Sequence, residues 1–155
     1  KTSTILRYTD NAFQRSYIST IGANLSIKEI VHQGELIELI LYDLAGQAKY
    51  SSIREQFYQK TNAIFIIFDV TNKTSFESVP KWYADLRKSL SNFMEIPLIL
   101  CGNKCDLTEQ IRVPNTDARA LASQYNIPYF EVSALTRQNN ELLFDTIVKK
   151  LLKPQ

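Results

Sequence analysis

The chain has 155 residues, a formal net charge of +2, 45% hydrophobic residues and 22% charged residues. That is the make-up of one soluble globular domain with a real core, and it does not demand nucleic acid or an anionic membrane as partner. Two cysteines, Cys101 and Cys105, supply neither a disulfide framework nor zinc spacing, so a reducing, cytoplasmic setting is the default. No signal peptide or membrane-spanning run is seen. The last residues, Leu-Leu-Lys-Pro-Gln, hold no Cys to carry a prenyl group, so peripheral membrane attachment is expected only through a segment outside these residues.

Helical spacing runs from Lys1 to Asp10, with Ile5 and Leu6 apolar. Residues 12–22 are polar and aromatic and read as a loop. Rough alternation from Ala23 to Val31, a Gln33-Gly34 turn and a second β pattern from Leu36 to Tyr42 predict a hairpin. Ser51 to Gln59 is a short helix and Ala63 to Val70 an apolar strand. Ser75 to Leu90 is predicted as one helix with Pro80 in its first turn. Its Trp82, Leu86 and Leu90 form a core stripe. A strand from Pro97 to Gly102, a helix from Pro114 to Tyr125, a strand from Pro128 to Val132 and a helix from Asn139 to Leu152 complete the order. Alternating strands and helices imply an α/β fold, with a largely parallel sheet covered on both faces.

The stretch Leu98-Ile99-Leu100-Cys101-Gly102-Asn103-Lys104-Cys105-Asp106 carries the sharpest chemistry. A short apolar run ends in Asn-Lys-x-Asp, and ligands of open α/β sheets sit outside the carboxyl ends of strands. A carboxylate accepts two hydrogen bonds side by side. Guanine offers two adjacent donors, where adenine presents a ring acceptor. Asp106 therefore favours guanine and repels adenine. The Lys104 stem suits the flat base, and Asn103 suits tying neighbouring loops together.

Three other strand exits carry polar groups: Asp43-Leu44-Ala45-Gly46-Gln47, Asp69, and Ser133-Ala134-Leu135. A strand-end carboxylate can hold Mg²⁺ through water, a glycine lets backbone N–H approach a terminal phosphate, and a glutamine can orient an attacking water. Lys1-Thr2-Ser3 matches the end of the phosphate-loop pattern G-x-x-x-x-G-K-[S/T].

Together, Lys1-Thr2-Ser3, Tyr17-Ile18-Ser19-Thr20-Ile21-Gly22, Asp43-Leu44-Ala45-Gly46-Gln47, Asn103-Lys104-Cys105-Asp106 and Ser133-Ala134 resemble the small GTPases of the Ras superfamily. The run from Asp69 to Phe76, with Trp82 and Ser-Thr-Ile-Gly, is most similar to the Rab branch. The resemblance implies a three-layer P-loop GTPase fold over residues 1–155. Its sheet is mostly parallel with one antiparallel hairpin strand, and a first strand and glycine-rich phosphate-loop segment are expected ahead of Lys1. The implied function is a Rab-like switch in intracellular membrane trafficking, hydrolysing GTP to GDP and phosphate with slow intrinsic turnover.

Residue by residue, the resemblance gives Lys1 the β- and γ-phosphates, Thr2, Thr20 and Asp43 the Mg²⁺, and Phe13 the guanine face. Gly46 senses the γ-phosphate, Gln47 is catalytic, and Asn103, Lys104 and Asp106 bind the base. Ser3, Ser133, Ala134 and Leu135 complete the nucleotide contacts. Effector, activating and exchange proteins are expected at residues 17–25 and 46–59 of a monomer that binds no nucleic acid. Departures lie at Leu44, Ala48, Lys49, Leu135 and Ala23-Asn24-Leu25. The alternatives are a nucleotide-bound module with little or no hydrolysis, an ATP-using phosphate-loop protein, and an α/β domain with no ligand.

Overall fold

The computed structural model describes residues 1–12, 21–47, 49 and 51–152. Helix α1 (Thr2–Thr9) precedes strands β1 (Ala23–His32) and β2 (Glu35–Leu44). Then come α2 (Ser51–Tyr58), β3 (Ile64–Asp69), α3 (Lys73–Glu77), α4 (Val79–Ser89), β4 (Leu98–Asn103), α5 (Asn115–Gln124), β5 (Tyr129–Val132) and α6 (Asn140–Leu151). None of the described helices is long and apolar enough to cross a membrane.

Strands β3, β4 and β5 form a parallel sheet in that order, with β4 central. Every residue of β4 is buried. Its side chains alternate between two cores, as the two-residue period of a strand requires. Leu98 and Leu100 join Leu86, Ala118 and Ala122 under α4 and α5, while Ile99 and Cys101 join Leu143, Phe144, Ile147 and Val148 under α6. Helix α1 reaches the second core through Tyr8, whose ring stacks on Phe144 at 3.9 Å and 4°. Burying Ile99 and Leu100 completely contributes about 1.5–3 kcal/mol each, which makes this strand the anchor of both helix layers.

The hairpin β1–β2 pairs antiparallel from Ala23↔Leu44 to His32↔Glu35. Gln33 (φ 54) and Gly34 (φ 86) both take positive φ, as a two-residue type I′ turn demands. One face packs Ile30, Leu39 and Leu41 on the second core. On the other, Leu25, Ile27 and Ile40 are exposed.

Two expectations change. Ser75–Leu90 is two helices meeting at Ser78. Pro80 has no N–H to donate and its ring would clash with the Phe76 carbonyl, so the first helix cannot continue through it. It sits instead in the first turn of α4. Between the hairpin and the parallel sheet, β2 and β3 share no ladder among the described residues. A cleft of about 590 Å³ separates them, lined by Leu39 and Leu41 on one side, Phe65 and Ile67 on the other, and Phe144 behind. Facing that cleft, β3 is only alternately buried although it is almost wholly apolar. Strand β2 also runs two residues further than predicted, placing Asp43 and Leu44 within it.

Candidate functional site

At the end of β4, Asn103 is buried and its Oδ1 accepts from Lys104 N at 2.8 Å and Ala134 N at 3.4 Å. One carboxamide thus ties the loop after β4 to the loop after β5, the role expected of it. Lys104 takes φ 70, a left-handed turn that swings the chain back toward β5. There Cys105 N donates to Val132 O at 3.2 Å. Ser133 Oγ donates to Asp106 Oδ1 at 2.5 Å and accepts from Thr136 N at 3.0 Å. Asp106 is thereby pinned beside fully buried Ser133 and nearly buried Ala134. Leu135 is exposed, so at this position only backbone is held in place.

The Lys104 side chain crosses to the end of β3, where Nζ lies 2.6 Å from Asp69 Oδ2. Asp69 also accepts from Thr71 N and Oγ1 at 2.9 and 2.7 Å. Burial pushes the Asp69 carboxyl upward, but the hydrogen bonds from Lys104 and Thr71 outweigh it and hold it below its ordinary value. Asp69, read from sequence only as a polar strand exit, is therefore the partner that aims Lys104.

At the other end, Thr2 Oγ1 donates to buried Asp43 and Lys1 Nζ donates to Leu44 O at 2.6 Å. Lys1 is an exposed residue, yet its Nζ is drawn against the loop. Desolvation there lowers its pKa, opposed by the Asp43 charge. A Cβ at Gly46 would lie 3.6 Å from Lys1 Nζ and 3.8 Å from the Trp82 ring. A hydroxyl facing a carboxylate is an all-oxygen donor pair, which suits a hard cation such as Mg²⁺. Among the described residues no cluster of three or more His, Cys, Asp or Glu is gathered at this end. Ser3 is half-buried in the first turn of α1 and Gln47 is exposed. Phe13 and Thr20, with residues 17–20 of the expected partner surface, lie outside the described residues.

Helix α1 joins the two ends. Its amino end carries Thr2 toward Asp43, and its positive dipole end points the same way. At its carboxyl end, Arg7 Nε donates to Ala134 O at 2.7 Å, Nη2 to Leu135 O at 3.3 Å and Nη1 to Asn11 O at 2.9 Å. Eight residues of helix span about 12 Å, so one short rod sets the distance between the carboxylate of β2 and the loop after β5. Sequence reasoning passed over Arg7. Its partners are carbonyls, which every residue has, so no motif marks them.

The sheet edge thus carries the Asn103–Asp106–Ser133–Ala134 frame at one end and the Thr2–Asp43 hydroxyl–carboxylate pair at the other. The family model described as "Ras family" matches residues 1–153. The dog Rab-27A (Canis lupus familiaris) is 37% identical over 166 residues, covering 97% of this chain and 74% of the relative. Two Arabidopsis thaliana proteins, RABE1e and RABD2a, are 36% and 35% identical, covering 97% and 93% of this chain and 69% and 70% of their own lengths. The chain belongs to the Ras family, within its Rab branch.

Proposed function

We propose that the protein binds GTP and GDP with Mg²⁺ and hydrolyses GTP to GDP and phosphate as a switch in intracellular membrane trafficking. The observation that carries this is the guanine frame, in which Asp106, Ser133, Asn103 and Ala134 are locked together by hydrogen bonds at the carboxyl edge of a parallel sheet. Asp106 accepts from the base, Lys104 covers it, and the Ala134 N–H meets the guanine oxygen, with Phe13, Ser133 and Leu135 at its margins. Lys1 and the N–H of Gly46 contact the terminal phosphates beside Ser3, while Thr2, Thr20 and Asp43 hold Mg²⁺. When bound, Mg²⁺ neutralises charge on the phosphates. Gln47 orients the attacking water, and intrinsic turnover is slow.

Of the expected partner surfaces, residues 17–25 and 46–59, the described residues Leu25 and Phe57 approach each other on the outer hairpin face. Leu25 is exposed and pairs in register with Tyr42, whose ring lies 4.9 Å from Phe57 of α2. Effector, activating and exchange proteins dock there on a monomer. A cytoplasmic protein results, held at membranes only peripherally. The domain is completed by a strand between β2 and β3, a reading supported by the cleft that both strand edges face.

Single-turnover phosphate release tests the activity. Wild-type protein loaded with GTP and Mg²⁺ is expected to release phosphate slowly, and Gln47→Leu to bind GTP equally well while releasing less. Equal release from both would remove Gln47 from the mechanism. Equal displacement of bound GDP by ATP and GTP would overturn the guanine reading.

A further inference from the structure

Behind the Gln47 loop stands a buried arginine. Arg54 on α2 is 6% exposed. Its Nη1 donates to Ala45 O at 3.0 Å and to Gln47 O at 2.8 Å, so one guanidinium nitrogen spans the turn Ala45-Gly46-Gln47. The guanidinium carbon lies 4.8 Å from the ring centroid of Trp82 on α4. That ring is also the wall that a Cβ at Gly46 would approach. A buried cation is costly unless its donors are satisfied and its face is covered. Nη1 finds two loop carbonyls, Tyr58 shares a further hydrogen bond with the guanidinium, and the indole covers its face. Lysine could not reproduce this, because an ammonium has no planar face to stack.

We propose that Arg54 is a positioning residue for hydrolysis: seated on Trp82, it clamps the carbonyls on either side of Gly46 and so sets where Gln47 stands. This rests on the GTPase reading above. Arg54 acts only through the loop backbone. Holding the carbonyls of Ala45 and Gln47 fixes the peptide planes between them, and with them the direction of the Gly46 N–H and the origin of the Gln47 side chain. Catalytic positioning is sensitive to such settings, a displacement of about 1 Å costing as much as about 100-fold in rate. The clamp also reports on itself, since Trp82 is the only tryptophan in the chain. Any rearrangement of the loop on nucleotide exchange moves the cation over that indole and changes its emission.

The test compares wild type, Arg54→Ala and Arg54→Lys. Each is loaded with GDP, with GTP or with a non-hydrolysable GTP analogue, and melting curves establish that each variant is folded. In wild type, Trp82 emission is expected to differ between the GDP and analogue forms. In Arg54→Ala that difference is lost, and single-turnover phosphate release falls about tenfold or more with GDP affinity unchanged. Arg54→Lys, keeping the charge without the planar stack, restores neither readout. A folded Arg54→Ala that keeps wild-type release and the wild-type emission difference overturns the proposal, as does full rescue by lysine. A variant that loses stability and nucleotide affinity together, with its rate per bound GTP intact, assigns Arg54 a purely structural role and also overturns it. If wild type itself releases no phosphate, the hydrolase reading fails, and the emission arm still decides the clamp.

Discussion

Replacing Gly102 by alanine tests how tightly the base frame is built. A methyl at this position would lie 2.6 Å from Tyr129 Oη, 2.8 Å from Val70 Cγ1 and 3.1 Å from Phe68 Cζ. Comfortable carbon contacts begin near about 3.5 Å. None of the three neighbours can yield freely. Val70 and Phe68 are 1% and 3% exposed, and the Tyr129 hydroxyl donates to Glu131 at 3.2 Å. Overpacking of this kind costs about 1–3 kcal/mol. Against it stands about 0.4–1 kcal/mol gained by restricting the unfolded chain. The net expectation is a loss of about 1–2 kcal/mol, lowering the melting midpoint by roughly 2–8 °C for a domain of this length. Thermal unfolding followed by circular dichroism at one fixed GDP concentration measures it, because bound ligand shifts the midpoint by mass action. A midpoint equal to wild type or higher would refute the packing argument. Because Asn103 follows directly in β4, GDP affinity is expected to fall as well.

Three further outcomes follow from the same frame. Ser133→Ala removes the hydrogen bond to Asp106, a charge-assisted contact of about 1.5–3 kcal/mol, so GDP affinity measured by fluorescent-nucleotide titration should fall about tenfold or more. Arg7→Ala frees the carbonyls of Ala134 and Leu135 and should speed GDP dissociation several-fold in stopped-flow, with Arg7→Lys recovering little of it. The Asp69 carboxyl lies below its ordinary 3.8 in the folded state, so its contribution is present above that value and fades as pH falls through it. Asp69→Asn should therefore melt below wild type at neutral pH, and the gap should narrow as pH falls below the ordinary carboxyl value and close once pH lies below the lowered folded value. A gap independent of pH would show that the carboxylate is not the group responsible.

The parallel sheet and its loops were legible because each signal was local. The apolar run of β4 stops where Asn103 begins, and a buried strand ending in Asn-Lys-x-Asp leaves little freedom over where those side chains stand. The break at Ser78 was legible in principle, since Pro80 forbids a continuous helix from Ser75, yet the apolar stripe from Trp82 to Leu90 concealed it. The separation of hairpin from parallel sheet goes with the further strand proposed between β2 and β3, which no described residue supplies. Arg7 and Arg54 were missed for a third reason. Each acts on backbone carbonyls from another element, so neither leaves a spacing to recognise. The Asp69–Lys104 contact lay between the two, with both residues seen at strand exits and their meeting decided by β3–β4 register.

Arg7 holds the loop after β5 by the oxygens of Ala134 and Leu135, not by their side chains. That divides the loop into parts that tolerate change very differently. At Leu135 it is the carbonyl that is held and the side chain is exposed, so substitutions there are expected to be tolerated far better than at Arg7. Arg7, far away in sequence, has no such freedom, because no other side chain offers several donors in one rigid fork. A saturation library across this region should therefore show its constraint displaced from the loop that lines the site onto a helix residue well before it in the chain.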